Sequence, residues 1–252
     1  MTTIKPLLAF DTATPTARVA VLSPQGEYIA MRERTAARHS ANLLALCDEV
    51  LREAGAKVDG LAGIACGAGP GSFTGLRVGL AVAKGLALPT GLPLVLVSSL
   101  DALACDLALR APEARFLLPC LDAGKAQVYA RLYAVPTGGP LALEDADWLL
   151  SPEDLVALVR DAVLGEPTVA GGSGVDRYLE VFRAGLDNQS VLAMAPGPSA
   201  LSVGRLGLYR LEHGQVDDIE TAVPRYGRPP DITRPKKGLR APQDSRRSGS
   251  HG

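Results

Sequence analysis

PLLAFDTATPTARVAVLSPQGEYIAMRER, residues 6–34, consists of short apolar or alternating runs separated by the turn signals Thr14-Pro15 and Pro24-Gln25-Gly26. Runs of this length bounded by Pro and Gly read as strands, so the stretch is a meander of three. From Ser40 to Ala54, Leu43, Leu44, Leu46, Cys47, Val50 and Leu51 recur at three- and four-residue steps, and Gly55 follows. That spacing places apolar side chains on one helical face, with a glycine stop. LAGIAC (61–66) reads as a short buried strand, GLRVGLAVAKGLAL (75–88) as a helix, LVLV (94–97) as a strand and SLDALACDLALR (99–110) as a helix. The order is βββαβαβα.

After Pro112 the pattern begins again, with FLLPCLDA, then QVYARLYAV, then a weaker run near 141–150. A helix opens at Ser151-Pro152-Glu153-Asp154, with Ser as cap and Pro in the first helical position. The strand PTVAG and a helix around 175–184 follow, and residues 199–212 form a last helix. Two βββαβα units predict an α/β protein made of duplicated ribonuclease-H-like halves, the arrangement paired in actin, Hsp70 and sugar kinases. The expected division is 1–110 and 111–198, with 199–212 packing back on the first half and 225–252 forming a basic, mostly disordered tail. In that class the turn after each first strand carries an aspartate near phosphate and magnesium. Here those residues are Asp11 and Asp122.

The 252 residues are 47% apolar and 21% charged, ordinary for a globular chain long enough to bury a sizeable core. The longest apolar runs, such as Leu92 to Val97, fall well short of the roughly 20 residues that span a bilayer, and none is flanked like a translocation signal. No membrane association is expected. Cys47, Cys66, Cys105 and Cys120 form no CxxC pair, which points to free thiols in a reducing cytoplasm. The net charge of -1 hides a segregation: residues 1–224 hold 18 basic and 25 acidic side chains (-7), and 225–252 hold 8 and 2 (+6). The acidic body suits a protein partner better than RNA, and any RNA contact should map to the tail.

The strongest local signal is GAGPGSFTGLRVG, 67–79, between a strand and a helix. Its glycines fit an anion cradle at a helix start, or a tight turn with Gly75 and Gly79 keeping a helix face small. The spacing is neither a P-loop nor a dinucleotide fingerprint. Asp11 and Asp122 each read as a magnesium contact or as a turn residue accepting backbone amides, with Lys125 near enough in sequence to neutralise Asp122. Gly171 and Gly172 stand where nucleotide-binding members of the class place a glycine turn. His39 precedes the first helix beside the candidate cap Ser40. A metal pair would need a second donor at position 43, which is Leu, so no metal and no cofactor are expected. With three histidines and no nucleophile motif, no catalytic triad can be proposed, and no catalytic residue is assigned.

Taken together, FDTAT, HS with LL on the first helix, GPGSFTGLRVG with VAKGLA, and LDAGKAQVYA resemble the TsaB (YeaZ) family of bacterial tRNA threonylcarbamoyladenosine biosynthesis proteins, from about Leu7 to Tyr226. The resemblance implies an actin-like fold and a non-catalytic subunit that pairs with TsaD, the transferase that modifies the adenosine beside the anticodon in tRNAs reading ANN codons. It implies the ATPase TsaE as a further member of the complex and a homodimer when TsaD is absent. It also implies a docking surface on the two helices that carry His39, Leu43, Leu46, Cys47 and Val50, and Gly71, Ser72, Phe73, Thr74, Gly75, Leu76 and Gly79. TsaD-type proteins carry an HxxxH metal pair whose second position aligns with Leu43. Under the resemblance the small positions 75 and 79 serve helix packing. Gly124 with Lys125 departs from the family's usual Asp-Ala-Arg hairpin, and the basic tail suggests weak tRNA tethering through phosphates. The rival reading from another class is an actin-like ATPase or small-molecule kinase using Asp11, Asp122 and the 171–174 turn.

Overall fold

The computed structural model describes residues 5–35, 40–136, 141–143, 146–186, 191–193 and 195–227. Strands β1 (Leu7–Asp11), β2 (Thr16–Leu22) and β3 (Tyr28–Thr35) form the expected antiparallel meander. Helix α1 (Ser40–Glu53) leads to β4 (Gly63–Gly67), helix α2 (Phe73–Thr90) to β5 (Leu94–Val97), and helix α3 (Ser99–Arg110) leaves the lobe. β4 and β5 add in parallel on the other side of β1, giving the order β3-β2-β1-β4-β5. Helix α2 begins two residues earlier than its apolar periodicity suggests because Ser72 caps it, accepting the Gly75 amide at 3.2 Å. It ends at Gly91, whose φ of 65° is the left-handed turn that stops a helix.

The second lobe repeats the plan. Strand β6 (Phe116–Gly124) pairs antiparallel with β7 (Gln127–Ala130), β7 with β10 (Trp148–Leu150), and β6 runs parallel to β11 (Thr168–Gly171), which is followed by β12 (Val191–Ala193). The order β10-β7-β6-β11-β12 reproduces that of the first lobe. Helix α4 (Pro152–Val163) has Ser151 as cap, accepting the Asp154 amide at 3.1 Å. Three details differ from expectation. QVYARLYAV breaks into β7 and β8 (Tyr133–Ala134), the latter pairing with β9 (Leu141–Ala142). The break falls where Arg131 turns inward to Asp101 at 3.5 Å and Asp147 at 2.6 Å. The helix expected around 175–184 is two short ones, α5 (Ser173–Arg177) and α6 (Leu179–Gly185), and β12 is an added strand.

Among the described residues four apolar clusters hold the molecule together. Helices α1 and α2 cover one face of the first sheet, and α7 (Ala200–Glu212) covers the other. Helices α4, α5 and α6 pack on the second sheet. The remaining cluster joins the lobes: Leu100, Leu103 and Leu107 of α3 pack with Leu117 and Leu121 of β6. Fully burying a leucine contributes on the order of 1.5–3 kcal/mol, so this shared cluster couples the lobes strongly. The cysteines are free, three buried and Cys105 half-buried, and burial pushes the Cys47 thiol up to about 12 and Cys105 to about 11. Among the described residues no helix is long and apolar enough to cross a membrane.

Candidate functional site

A cleft of about 860 Å³ separates the lobes, with Thr14, Ser72 and Phe73 on one wall and Asp122, Ser173 and Arg177 on the other. Asp11, at the end of β1, does not line it. Its side chain is fully buried, Oδ1 accepts the Ala13 amide at 2.7 Å, and Oδ2 accepts the Ser99 hydroxyl at 2.7 Å. Burial raises its pKa against the lowering effect of those two hydrogen bonds. The Ser99 hydroxyl in turn accepts the Gly69 amide at 3.2 Å. Asp11 is therefore a buttress beneath the glycine-rich segment, in the turn role that is one of its two expected readings, and is not placed to reach an anion in the cleft.

Asp122, the matching residue of the second lobe, does face the cleft. Its Oδ2 accepts Arg177 Nη1 at 2.6 Å and its Oδ1 the Gly124 amide at 3.1 Å, while its own amide donates to Ser173 Oγ at 3.1 Å. The carboxylate that a magnesium–phosphate group would need already carries a guanidinium counter-charge. Gly171 and Gly172 are buried, and a Cβ at Gly172 would collide with the Cys120 carbonyl. These glycines serve backbone packing against β6 and offer no open contact, a correction to their reading as a nucleotide-binding turn.

The segment 67–79 wraps the turn that Asp11 begins. The Ser72 amide donates to the Ala13 carbonyl at 2.7 Å, and the Thr12 hydroxyl donates to the Gly75 carbonyl at 2.9 Å. A Cβ at Gly75 would collide with the Thr12 carbonyl oxygen, one at Gly79 with the Thr12 hydroxyl, and one at Gly71 with Ala13. The small positions thus admit the chain's own turn rather than a facing helix. Leu76 is buried in the same core. On α1, Leu43, Leu46, Cys47 and Val50 are buried against the first sheet. The amphipathic pattern identified the apolar face correctly, but that face is used up within the chain and is withdrawn from the docking surface. His39 lies outside the described residues.

What remains open is the opposite side of the same two helices. Thr74, Arg77, Ala81, Gly85 and Leu88 recur at three- and four-residue steps along the exposed side of α2, with Leu88 59% exposed and open space at Gly85. On neighbouring α1, Leu44 is 53% exposed. The chain also returns to α2 after α7. The Arg225 amide donates to the Ala68 carbonyl at 2.7 Å, Tyr226 stacks on Phe73 with centroids 4.9 Å apart, and Arg77 Nε donates to the Tyr226 hydroxyl at 3.0 Å. Residues 225–227 are thus bound to the body, contrary to the expected start of the disordered tail, and 228–252 lie outside the described residues. Sequence reasoning missed Arg177, Arg77 and Tyr226, because each acts through a neighbour distant in sequence or through its place on a helix whose two sides are both weakly polar.

Two lobes of identical strand order, joined through α3 and parted by a cleft, define the actin-like class that includes ATPases and sugar kinases. The activator of 2-hydroxyisocaproyl-CoA dehydratase from Clostridium difficile shares this fold at a TM-score of 0.51 and 10% identity, covering 83% of this chain and 97% of its own. The family described as TsaD, tRNA N6-adenosine threonylcarbamoyltransferase, matches residues 31–138. The tRNA threonylcarbamoyladenosine biosynthesis protein TsaB of Escherichia coli (strain K12) is 30% identical over 224 residues, 87% of this chain and 93% of that one. The structure of YeaZ from Pseudomonas aeruginosa superposes with a TM-score of 0.70 at 27% identity, covering 87% of this chain and 100% of that one. The chain belongs to the TsaB family.

Proposed function

We propose that the chain acts in tRNA threonylcarbamoyladenosine biosynthesis as the non-catalytic partner of a TsaD-type transferase. The observation that carries this is the exposed outer side of α2, on which Thr74, Arg77, Ala81, Gly85 and Leu88 are all exposed, with Leu44 exposed on neighbouring α1. Its small residues at Ala81 and Gly85 suit close approach of another helix. The cleft supports the same division of labour, since Asp11 is sealed away and Asp122 is matched by Arg177. The docking set is accordingly Leu44, Phe73, Thr74, Arg77, Ala81, Gly85 and Leu88. In the cytoplasm this surface takes up TsaD, with TsaE joining through the complex, and it takes a second copy of the chain when TsaD is absent. Contact with tRNA is indirect, with the basic segment after Gly227 adding a weak, salt-sensitive tether.

Reconstitution tests this reading. TsaD, TsaE, the adenylate-forming synthase, tRNA, threonine, bicarbonate and ATP should modify the adenosine only when this chain is added. Equal modification without it contradicts the proposal.

A further inference from the structure

The arginines of the first lobe mostly hold carboxylates of their own chain: Arg18 with Glu33, Arg32 with Glu53, Arg34 with Glu49, Arg52 with Asp48 and Arg210 with Asp217. Arg77 does not. Its guanidinium carbon lies 4.0 Å above the Phe73 ring and 5.8 Å from the Tyr226 ring centroid, and its Nε is held by the Tyr226 hydroxyl at 3.0 Å. Tyr226 is itself positioned by the hydrogen bond of Arg225 to Ala68 and by Gly227, which lies against the Tyr129 ring. Neither terminal nitrogen of Arg77 meets a partner among the described residues, and the side chain stands exposed on the outer side of α2. A guanidinium with its stem stacked and its Nε engaged has already lost most of its rotamer freedom. Its two terminal amino groups remain a planar fork for a bidentate acceptor.

Resting on the docking reading above, we infer that Arg77, clamped by Phe73 and Tyr226, is a preformed anchor for a carboxylate carried by the TsaD-type partner on the helix that lies along α2. Pre-ordering reduces the entropic cost of pairing, and the aromatic rim excludes water from the contact. The acceptor is a protein carboxylate rather than an RNA phosphate because the fork is continuous with the exposed Ala81, Gly85 and Leu88 face, whose small and apolar residues fit a helix.

The experiment is the equilibrium affinity of purified TsaD for the full chain and its variants, at low and high salt. Arg77→Ala should weaken association about tenfold or more and flatten its salt dependence. Arg77→Lys should lose most of the same affinity, because an ammonium lacks the fork. Tyr226→Phe, which keeps the ring and removes the hydroxyl, should lose a smaller factor. Gly85→Glu is the control for the docking face. If Gly85→Glu abolishes binding while Arg77→Ala leaves affinity and salt dependence unchanged, the anchor is wrong and the docking face stands. If Gly85→Glu has no effect, the docking face itself is wrong. Arg77→Ala that spares TsaD affinity but reduces retention of tRNA by the complex identifies a phosphate contact and overturns the proposal.

Discussion

Asp11 and Asp122 end matching stretches of the two first strands, and they have opposite surroundings. Asp11 has no exposure and gives both oxygens to its own chain, whereas Asp122 stands in the cleft with an arginine on it. Strand order fixes where such a carboxylate comes along the chain, and the segment packed over it fixes what it does. In the first lobe the glycines of 67–79 let α2 settle onto the turn at 11–13, which seals Asp11 and commits the inner side of α2 to the core. In the second lobe the corresponding segment is the five-residue α5, which leaves Asp122 open and supplies Arg177. A helix drawn inward on one side is left with its other side free. The difference between the lobes therefore accounts for both the altered cleft and the exposed surface.

The largest effect that could break this contrast is on stability. Asp11→Ala leaves the Ala13 amide and the Ser99 hydroxyl without their acceptor in a sealed site, and should cost about 3–5 kcal/mol in urea denaturation. Asp122→Ala, at a solvent-facing pair, should cost less than about 1 kcal/mol. Equal losses would mean the two residues play the same part. Next in size is the inner against the outer side of α2. Gly75→Ala forces a methyl onto Thr12 and should destabilise by about 1–3 kcal/mol, while Gly85→Ala, with open space around it, should stabilise by up to about 1 kcal/mol. Thermal unfolding of the pair decides it, and a loss at both positions would place the outer side against something in the fold.

The smallest effect is a dependence on pH. Burial raises the Asp11 pKa above its ordinary value near 3.8, so between the unfolded and the folded value the folded chain binds a proton that the unfolded chain has released. Stability from this group is fully present below the unfolded value and falls as pH rises through the folded one. Asp11→Asn removes that slope. The stability of the wild type relative to Asp11→Asn should therefore be level below 3.8 and decline as pH rises above it through the folded value. A difference that stays level with pH would show that Asp11 is not held in its protonated form by burial.

Much of the architecture was legible in the sequence because its signals are local. The cap and proline at Ser151-Pro152, the glycine stop after α1 and the run 94–97 each specify an element without help from the rest of the chain. Strand β12 spans only Val191–Ala193, too short for a period to register, and Arg131 breaks a strand for the sake of carboxylates in other elements. The site was less legible for a related reason. Periodicity showed that α1 and α2 have apolar sides, yet α2 is made of Gly, Ala, Val and Leu nearly all round, so pattern alone could not tell its buried side from its free one. Thr12 decides the matter by taking the Gly75 and Gly79 side. The pairing of Arg177 with Asp122 and the clamp of Tyr226 on Arg77 join residues too far apart in sequence for spacing to reveal them.

The central claim is that the outer side of α2 is where the chain meets TsaD, and the direct measurement is a calorimetric titration of TsaD with the wild-type chain and with Gly85→Glu. The substitution adds a charge in open space, so the variant should fold as the wild type does and lose at least about tenfold in affinity when that charge is pressed into the contact. Undiminished affinity in a normally folded Gly85→Glu chain would contradict the account.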